Sequence, residues 1–372
     1  MKITAVKAKT YLYPYKEGEE FANGIRWNRA RSCVLVIVET DEGITGYGES
    51  DSAGAPPEVT ACIVEKYIGP LVIGMDPMCV EAVWSHVYSH CDKNGRRGMA
   101  IAALSGVDIA LWDIMGKALG QPVYRLLGGA HDRLEAYHSG GFYHVHDDPA
   151  AEAERGLAAN YRSFKMKMGR LSLRDEIKRI ESVRRAIGDG CRLMVDANNA
   201  YTKKDAMKLL RPLEDLGVFW FEEPVSTDLP EDSAEIARST SVAIAGYETE
   251  HTAFGFRRII ECGAVDIVQC DAIRAGGITE LRKIAAISQA WGKMCTGHIF
   301  SSGLSLLANM HFIAGHAVCS LLECEANPNP LRTEMFKDYR LTVESDGFVS
   351  LPQKPGLGAE IDFDAIEQWR IQ

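Results

Sequence analysis

The sequence has 372 residues, of which 46% are hydrophobic and 25% are charged, and its formal net charge is −10. This length fits one large domain with a smaller partner domain, and the composition is ordinary for a globular protein. The acidic balance disfavours nucleic-acid binding through a basic surface, although lysines and a metal ion could still hold an anionic substrate.

Cysteine usage and the N-terminal residues bear on the compartment. Ten cysteines are scattered without a CxxC pair, which indicates reduced thiols rather than a disulfide framework or a zinc site. The N-terminal MKITAVKAKTYLY alternates like an edge strand and lacks the apolar core of a signal peptide. No apolar run reaches membrane-spanning length. We therefore expect a cytoplasmic protein with no membrane partner.

The first 50 residues predict antiparallel strands. Two strand-like runs, SCVLVIVET and ITGYGES, flank the turn DEG at 41–43, a hairpin signal. Residues 15–31 and 51–57 are loops, and we expect them to form a mobile lid that the substrate orders. Helical segments follow, and the last of them, GMAIAALSGVDIALWDIMGKALG, is apolar enough to be buried.

From about residue 132 the chain alternates strands with helix-sized stretches. The candidate strands are LEAYHS, SFKMKM, RLMVD, VFWFE, VAIAGYE, VDIVQCD, KMCTGH and SLLECE. Eight such strands are the number that a closed barrel needs. Past Asn327 short strands and turns return, and we expect this tail to pack on the N-terminal domain.

Three carboxylates stand at intervals of 26 residues at the ends of three successive strands: Asp196, Glu222 and Glu248. The carboxyl ends of barrel strands converge on one face, so the three side chains should form one oxygen cage. Such a cage suits a hard cation such as Mg²⁺. Glu223 neighbours Glu222 but should face the other way, which leaves it to support the cage from outside. Asn198 could reach the substrate.

Two lysines, Lys165 and Lys167, lie two residues apart in SFKMKM and should point to the same side of their strand. Their mutual repulsion and a nearby divalent cation would lower the lysine pKa, which makes one of them a candidate general base. Asp271 and His298 close successive strands and predict a dyad in which the carboxylate orients the imidazole.

Further candidates line the expected mouth of the barrel. Glu323 or Glu325 ends the eighth strand, and one of them, if kept protonated, could donate a hydrogen bond to a developing oxyanion. His138 lies near the expected pocket. The loop 15–31 contributes polar and aromatic candidates for binding the substrate, among them Asn23, Arg26 and Trp27.

The motifs KMK, MVDAN, FEEP, GYETE, CDAIRAGG and TGH, in this order, resemble those of the enolase superfamily, mandelate racemase subgroup. The resemblance covers essentially the whole chain. It implies an α/β fold, a modified TIM barrel of the form (β/α)₇β with an N-terminal α+β capping domain completed by the C-terminal tail. We place the cap at residues 1–125, the barrel at 126–330 and the tail at 331–372.

The same resemblance implies residue roles. Mg²⁺ would be held by Asp196, Glu222 and Glu248. Lys167 would be the acid/base on one face of the substrate, and the Asp271–His298 dyad would be the acid/base on the other. Lys165 would neutralise the substrate carboxylate, while Glu323 stands at the family's electrophilic glutamate. The chain departs from its relatives at Cys324, where an aromatic residue is frequent, and this bears on pocket shape.

These residues predict abstraction of a proton α to a carboxylate, giving a Mg²⁺-stabilised enediolate. The second step stays open between dehydration, racemisation or epimerisation, and lactone cycloisomerisation. We favour dehydration of an acid sugar by a hydro-lyase, because Arg26 and its neighbours supply many hydrogen-bond donors. A guanidinium there could bind a distal carboxylate, which would favour a di-acid. Barrels of this kind commonly assemble, so we expect a homo-oligomer, a dimer or an octamer.

Overall fold

The computed structural model describes residues 1–52, 54–93, 95–144 and 148–371, so Ala53 of the loop 51–57 lies outside the described residues. The N-terminal strands are β1 (Ile3–Pro14), β2 (Phe21–Ala22), β3 (Trp27–Asn28), β4 (Ala30–Thr40) and β5 (Thr45–Ser50). β1, β4 and β5 form an antiparallel sheet, and β2 and β3 form a separate two-stranded ribbon within the predicted lid loop.

Helices cover this sheet. They are α1 (Pro57–Cys62), which continues through a π-helical turn at Ile63–Ile68, α2 (Gly69–Val72), α3 (Val80–His90), α4 (Met99–Leu119) and α5 (Val123–Leu126). α4 lies against β5 so closely that a Cβ on Gly48 would stand 2.1 Å from the carbonyl oxygen of Gly106. Only glycine fits at such an approach.

α4 corrects one expectation. Its 21 residues are long and apolar enough to cross a membrane by length and composition, whereas the sequence analysis expects no apolar run of that length. Within the protein 83% of its apolar window is buried, with side chains such as Leu104, Val107 and Leu111 in the core. A core helix between a sheet and a barrel needs the same composition as a membrane span.

Eight parallel strands follow, as predicted: β6 (Arg133–Gly140), β7 (Ser163–Lys167), β8 (Arg192–Asp196), β9 (Val218–Glu222), β10 (Ala243–Gly246), β11 (Ile267–Cys270), β12 (Met294–Gly297) and β13 (Leu322–Glu325). Each run of strand residues is almost entirely buried, which is the pattern of parallel strands covered on both faces. The helices between them are α6 (Pro149–Ala158), α7 (Leu173–Ile187), α8 (Lys203–Asp215), α9 (Pro230–Ala237), α10 (Thr252–Cys262), α11 (Gly277–Ala290) and α12 (Gly303–Gly315).

The strands are ordered β12-β11-β10-β9-β8-β7-β6-β13, so neighbours in sequence are neighbours in space and β13 pairs with β6. The remaining seam between β12 and β13 is joined by an isolated parallel bridge between Cys295 and Cys319 and by the Thr296 hydroxyl, which donates to the carbonyls of Ser320 and Leu321. The barrel is therefore nearly closed. Its interior is filled by apolar side chains, including Tyr137, Met194 and Trp220.

The remaining elements are α13 (Pro330–Thr333), β14 (Phe348–Ser350), α14 (Phe363–Ile366), a 3₁₀ turn (Glu367–Trp369) and β15 (Arg370–Ile371). β14 pairs antiparallel with β6 on the barrel, whereas β15 pairs antiparallel with β1 and becomes an edge of the N-terminal sheet. The tail thus contacts both parts of the molecule, and its last strand completes the sheet of the cap.

Candidate active site

The carboxyl ends of the barrel strands bring most of the predicted residues together. Asp196 ends β8 and Glu222 ends β9, and the two are register partners across the pair of strands. Glu248 follows β10 by two residues. Asp196 and Glu222 are fully buried, and Glu248 is 13% exposed. The predicted set of three acids therefore opens on one face of the barrel.

Lys165 lies inside this set of acids. Its Nζ is 3.0 Å from Oε1 of Glu222, 2.7 Å from Oε1 of Glu323 and 3.9 Å from Oδ2 of Asp196. Lys167 contacts Oδ2 of Asp196 directly. Both lysines contact this set of acids, so they lie on the same side of β7, as their two-residue spacing predicts.

The lowered lysine pKa predicted for a site with a bound cation stays a prediction, because in this structure the lysines contact the carboxylates directly. Burial alone would lower the pKa of Lys167, but the negative charge of Asp196 outweighs burial and the repulsion from Lys165, and the pKa is raised. The pKa of Lys165 is raised as well, because Glu222 and Glu323 outweigh its burial. The carboxylates that contact each lysine counteract the mutual repulsion of the two ammonium groups.

His298 and Asp271 form the predicted dyad. The His298 Nδ1 is 2.8 Å from Oδ2 of Asp271, and Nε2 is 3.0 Å from Oε2 of Glu248. Burial alone would lower the imidazole pKa, but Glu248 and Asp271 outweigh it and raise the pKa of His298 to about 9. Both carboxylates thus favour the protonated imidazole, which is the form that can donate a proton.

Glu323 lies on β13 and faces the lysines. Its Oε1 accepts hydrogen bonds from the Ser139 hydroxyl at 2.7 Å and from Lys165, and its Oε2 accepts the Ile299 N–H at 2.9 Å. Burial alone would raise its pKa, but Lys165 and His298 lower it. The predicted protonated carboxyl is therefore not found, because every partner here donates to a carboxylate.

Glu325, the other candidate on β13, forms ion pairs with two arginines instead of contacting the lysines of the site. Its carboxylate is held by Arg31 and Arg332, with one nitrogen of each at 3.0 Å. Glu325 therefore serves as a contact between the cap strand β4, which carries Arg31, and the rim of the barrel.

The donor chemistry of the three acids fits a divalent cation, although the cage is not preformed. In the described part of the chain no group of three His, Cys, Asp or Glu is arranged as a ready metal site, since lysine and histidine nitrogens contact the carboxylates. Burial and the charge of Asp196 raise the pKa of Glu222 to about 8. The effect of Asp196 is a repulsion between neighbouring carboxylates, which a hard cation bound between them would offset.

Two neighbours of the acids, Glu223 and Asn198, differ in their hydrogen bonding. Glu223 points away from the lysines and accepts the Tyr247 N–H at 3.0 Å and the Asn199 amide at 2.8 Å, which places it behind the cage. Asn198 is buried, and its side-chain Oδ1 has no hydrogen-bond partner among the described residues. A buried acceptor of this kind is available to a ligand.

The loop carrying β2 and β3 contacts the end of β8 directly. A Cβ on Gly24 would stand 2.3 Å from the carbonyl oxygen of Ala197, so the loop backbone touches the segment that follows Asp196. Asn23 and Arg26 line a cavity of about 400 Å³ that also reaches Glu248 and Arg274. Trp27 is 45% exposed and faces Arg170 instead, with the guanidinium 5.7 Å from the ring.

His138 is not in the site, contrary to the prediction. It lies on β6 between Tyr137 and Ser139, whose side chains face the interior, so strand alternation turns His138 outward. Its ring packs against Tyr161 and Phe164, and its Nε2 is 4.0 Å from Glu152 of α6. The outward direction of His138 follows from the alternation of side chains along β6, because its neighbour Ser139 faces inward.

Sequence reasoning missed Arg274 and Gln269. The Arg274 side chain is 2.9 Å from Asp51 of the cap and 3.4 Å from Glu248, and it approaches Asp271 at 4.0 Å. Gln269, on β11, donates to Oε2 of Glu222 at 2.9 Å. Arg274 lies three residues past Asp271 in the motif CDAIRAGG, so its position in that motif was the available signal.

A parallel barrel with a capping sheet and a site of acids, lysines and a histidine at its carboxyl face defines an enzyme of the α/β-barrel class. The model of the family described as "Enolase C-terminal domain-like" matches residues 148–365, and that described as "Mandelate racemase / muconate lactonizing enzyme, N-terminal domain" matches residues 23–128. The chain therefore belongs to the mandelate racemase/muconate lactonizing enzyme family of the enolase superfamily.

Individual relatives differ in reaction. The chain is 38% identical to arabinonate dehydratase of Saccharolobus solfataricus, over 91% of each chain. It is 35% identical to D-galactarolactone cycloisomerase of Agrobacterium fabrum, over 100% of this chain and 99% of the relative. A racemase from Streptomyces coelicolor, crystallised with bound magnesium, superposes with a TM-score of 0.90 at 27% identity, over 99% and 100% of the two chains.

Proposed function

We propose that this protein is a Mg²⁺-dependent hydro-lyase that dehydrates an acid sugar to a 2-keto acid. The observation that carries the proposal is the placement of Lys167 and His298 on well-separated strands around one set of carboxylates. β8 to β11 lie between their strands on one side, and β6 and β13 lie between them on the other. A substrate held over the acids would have a basic group on each face.

Asp196, Glu222 and Glu248 would hold the ion, and the orphaned Oδ1 of Asn198 would lie beside it or beside the substrate. When bound, Mg²⁺ would act as a Lewis acid that offsets the negative charge developing on the substrate carboxylate. Lys165 would add a second positive charge at the same carboxylate, since its Nζ already lies among Glu222 and Glu323.

Lys167 is proposed as the base. Its ion pair with Asp196 must open and its ammonium must release a proton to solvent, and the neutral amine then takes the proton from the carbon α to the carboxylate. His298, whose protonated form Asp271 stabilises, donates its Nε2 proton to the departing β-hydroxyl, which leaves as water. The remaining enol tautomerises to the 2-keto acid.

The lid cavity bears on the substrate class. Arg26 lines it, is exposed and forms no ion pair with another described residue. Arg31 and Arg274, which line the same cavity, are already paired with Glu325 and Asp51. Arg26 is therefore the guanidinium available to a distal carboxylate, and it favours a di-acid sugar over a mono-acid. Asn23 would contribute to the same wall.

A library of mono-acid and di-acid sugars, incubated with the protein and Mg²⁺ and assayed for 2-keto acid, tests the proposal. We expect 2-keto product from at least one member. If no member gives a keto acid while one shows α-proton exchange with inversion, the dehydratase assignment is wrong. Arg26→Gln should raise KM for a di-acid substrate and leave a mono-acid unaffected.

The alternative is a racemase or epimerase, or a lactone cycloisomerase. The placement of Lys167 and His298 on two faces would also serve racemisation or epimerisation, because two such groups can pass one proton across the substrate. Chiral analysis of recovered substrate separates inversion from dehydration.

The protein is further proposed to be a cytoplasmic homo-oligomer, a dimer or an octamer, with a cap at residues 1–125, a barrel at 126–330 and a tail at 331–372. The ten free cysteines support a reducing compartment. Light scattering of the purified protein would give its mass in solution, and a monomer would contradict the oligomer.

A further inference from the structure

The segment between β12 and α12 carries His298 and has two sets of partners. Its first residues are held by the barrel. The His298 N–H donates to the carbonyl of Cys270 at 2.9 Å, and the Ile299 N–H donates to Glu323 at 2.9 Å. The barrel thus determines where the segment begins.

The rest of the segment is held by the cap. Arg31 of β4 donates to the carbonyl of Phe300 at 2.7 Å. The hydroxyls of Ser301 and Ser302 both donate to the Glu49 carboxylate of β5, the second at 2.5 Å. The Ser305 N–H, in the first turn of α12, donates to the same carboxylate at 2.9 Å.

Glu49 is a buried carboxylate with no ion pair to another described residue. Burying such a group is costly unless donors surround it, and here two hydroxyls and the backbone N–H groups of Ser302 and Ser305, at the start of the 13-residue helix α12, do so. The same donors lose their acceptor if the carboxylate is removed. Glu49 and the segment 298–302 therefore order each other across the boundary between cap and barrel.

We propose that Glu49 is a positioning residue for His298: by fixing Ser301 and Ser302 it sets the path of the segment that carries the imidazole. The proposal rests on the proposed function, in which His298 supplies the second proton transfer. Loss of the β-hydroxyl, which needs His298, would then depend on the contact of Glu49 with Ser301 and Ser302. Proton abstraction by Lys167, on β7, does not depend on this contact.

The test compares Glu49→Gln with the wild-type protein by two readouts. The first is hydrogen–deuterium exchange of the backbone amides in residues 298–306, measured without substrate. The second separates Lys167-dependent exchange of the α-proton from formation of the keto acid. We expect amide protection to fall and dehydration to drop about tenfold or more, because small displacements of a reacting group are costly. The α-proton exchange should stay within about twofold of wild type.

Asp113→Asn is the matched control. Asp113 is another buried carboxylate of the cap, but it binds the Tyr47 and Leu357 N–H groups rather than the segment 298–302. It should leave protection of 298–306 unchanged. If Glu49→Gln folds poorly, Ser301→Ala takes its place. It removes one donor to Glu49 and should lower the protection of residues 298–306 and the dehydration rate in the same direction.

Two results would overturn the proposal: unchanged protection of 298–306 in Glu49→Gln, or loss of α-proton exchange in parallel with dehydration. If the wild-type protein turns over no acid sugar, the proposed function fails. The protection measurement would still decide whether Glu49 holds the segment.

Discussion

Lys167 is the side chain on which the proposed chemistry depends most directly. Replacement by Met keeps the length of the side chain and removes the amine. We expect Lys167→Met to lower α-proton exchange about 10²- to 10⁴-fold, which is the usual contribution of a general base.

The same variant should bind Mg²⁺ at least as tightly as the wild type, because the ammonium no longer competes for Asp196. Calorimetry measures the affinity, and the exposed Lys66→Met is the control for both assays. Weaker Mg²⁺ binding with unchanged exchange would assign Lys167 to the metal site rather than to proton transfer.

The positions of the site residues could be predicted, whereas their ionic partners could not. Asp196, Glu222, Lys165 and Lys167 follow from strand ends and from the two-residue repeat of a strand. The sequence does not show that each lysine contacts an acid on a neighbouring strand, since that depends on register. The raised lysine pKa and the ionised Glu323 follow from those contacts.

At the scale of elements, the contact between β5 and α4 is set by small residues. Gly48→Ala would bring a Cβ within 2.1 Å of the Gly106 carbonyl oxygen, and the helix backbone cannot yield as a flexible side chain would. We expect the free energy of unfolding to fall by about 3 kcal/mol or more. Urea denaturation measures this. Gly190→Ala, which meets no atom within 4 Å, should differ little from wild type.

The contact between helices α4 and α11 predicts that the stability of the protein depends on pH. Asp108 of α4 is buried, its Oδ2 accepts the Thr279 N–H of α11 at 2.9 Å, and burial raises its pKa to about 7. The native state therefore holds a proton that the unfolded state loses near pH 4, so stability falls as pH rises from about 4 to 7.

Asp108→Asn keeps an acceptor for Thr279 and removes the charge. We expect the free energy of unfolding of Asp108→Asn to decrease less steeply than that of the wild type between pH 4 and 7. Asp189→Asn, at an exposed position, is the control and should keep the wild-type slope. Identical slopes in Asp108→Asn and wild type between pH 4 and 7 would show that Asp108 is ionised in the native state.

For the whole molecule, the eight-stranded barrel and the capping sheet could be predicted, because each strand carries its own apolar run. The pairing of β14 with β6, and of β15 with β1, could not, since short strands of two or three residues carry little pattern. The contacts between cap and barrel were also missed. Arg31, Glu49 and Asp51 meet partners roughly 220 to 290 residues away in sequence, and no local pattern links them.

The central claim is that Mg²⁺ held by the three acids enables removal of a proton α to a carboxylate. The most direct measurement is deuterium incorporation at that carbon from deuterium oxide, for an accepted acid sugar, with and without Mg²⁺. We predict incorporation by the wild type only with the ion, and at least about a hundredfold less with Asp196→Asn. Incorporation that persists in a chelator, or that is undiminished in Asp196→Asn, would contradict the account.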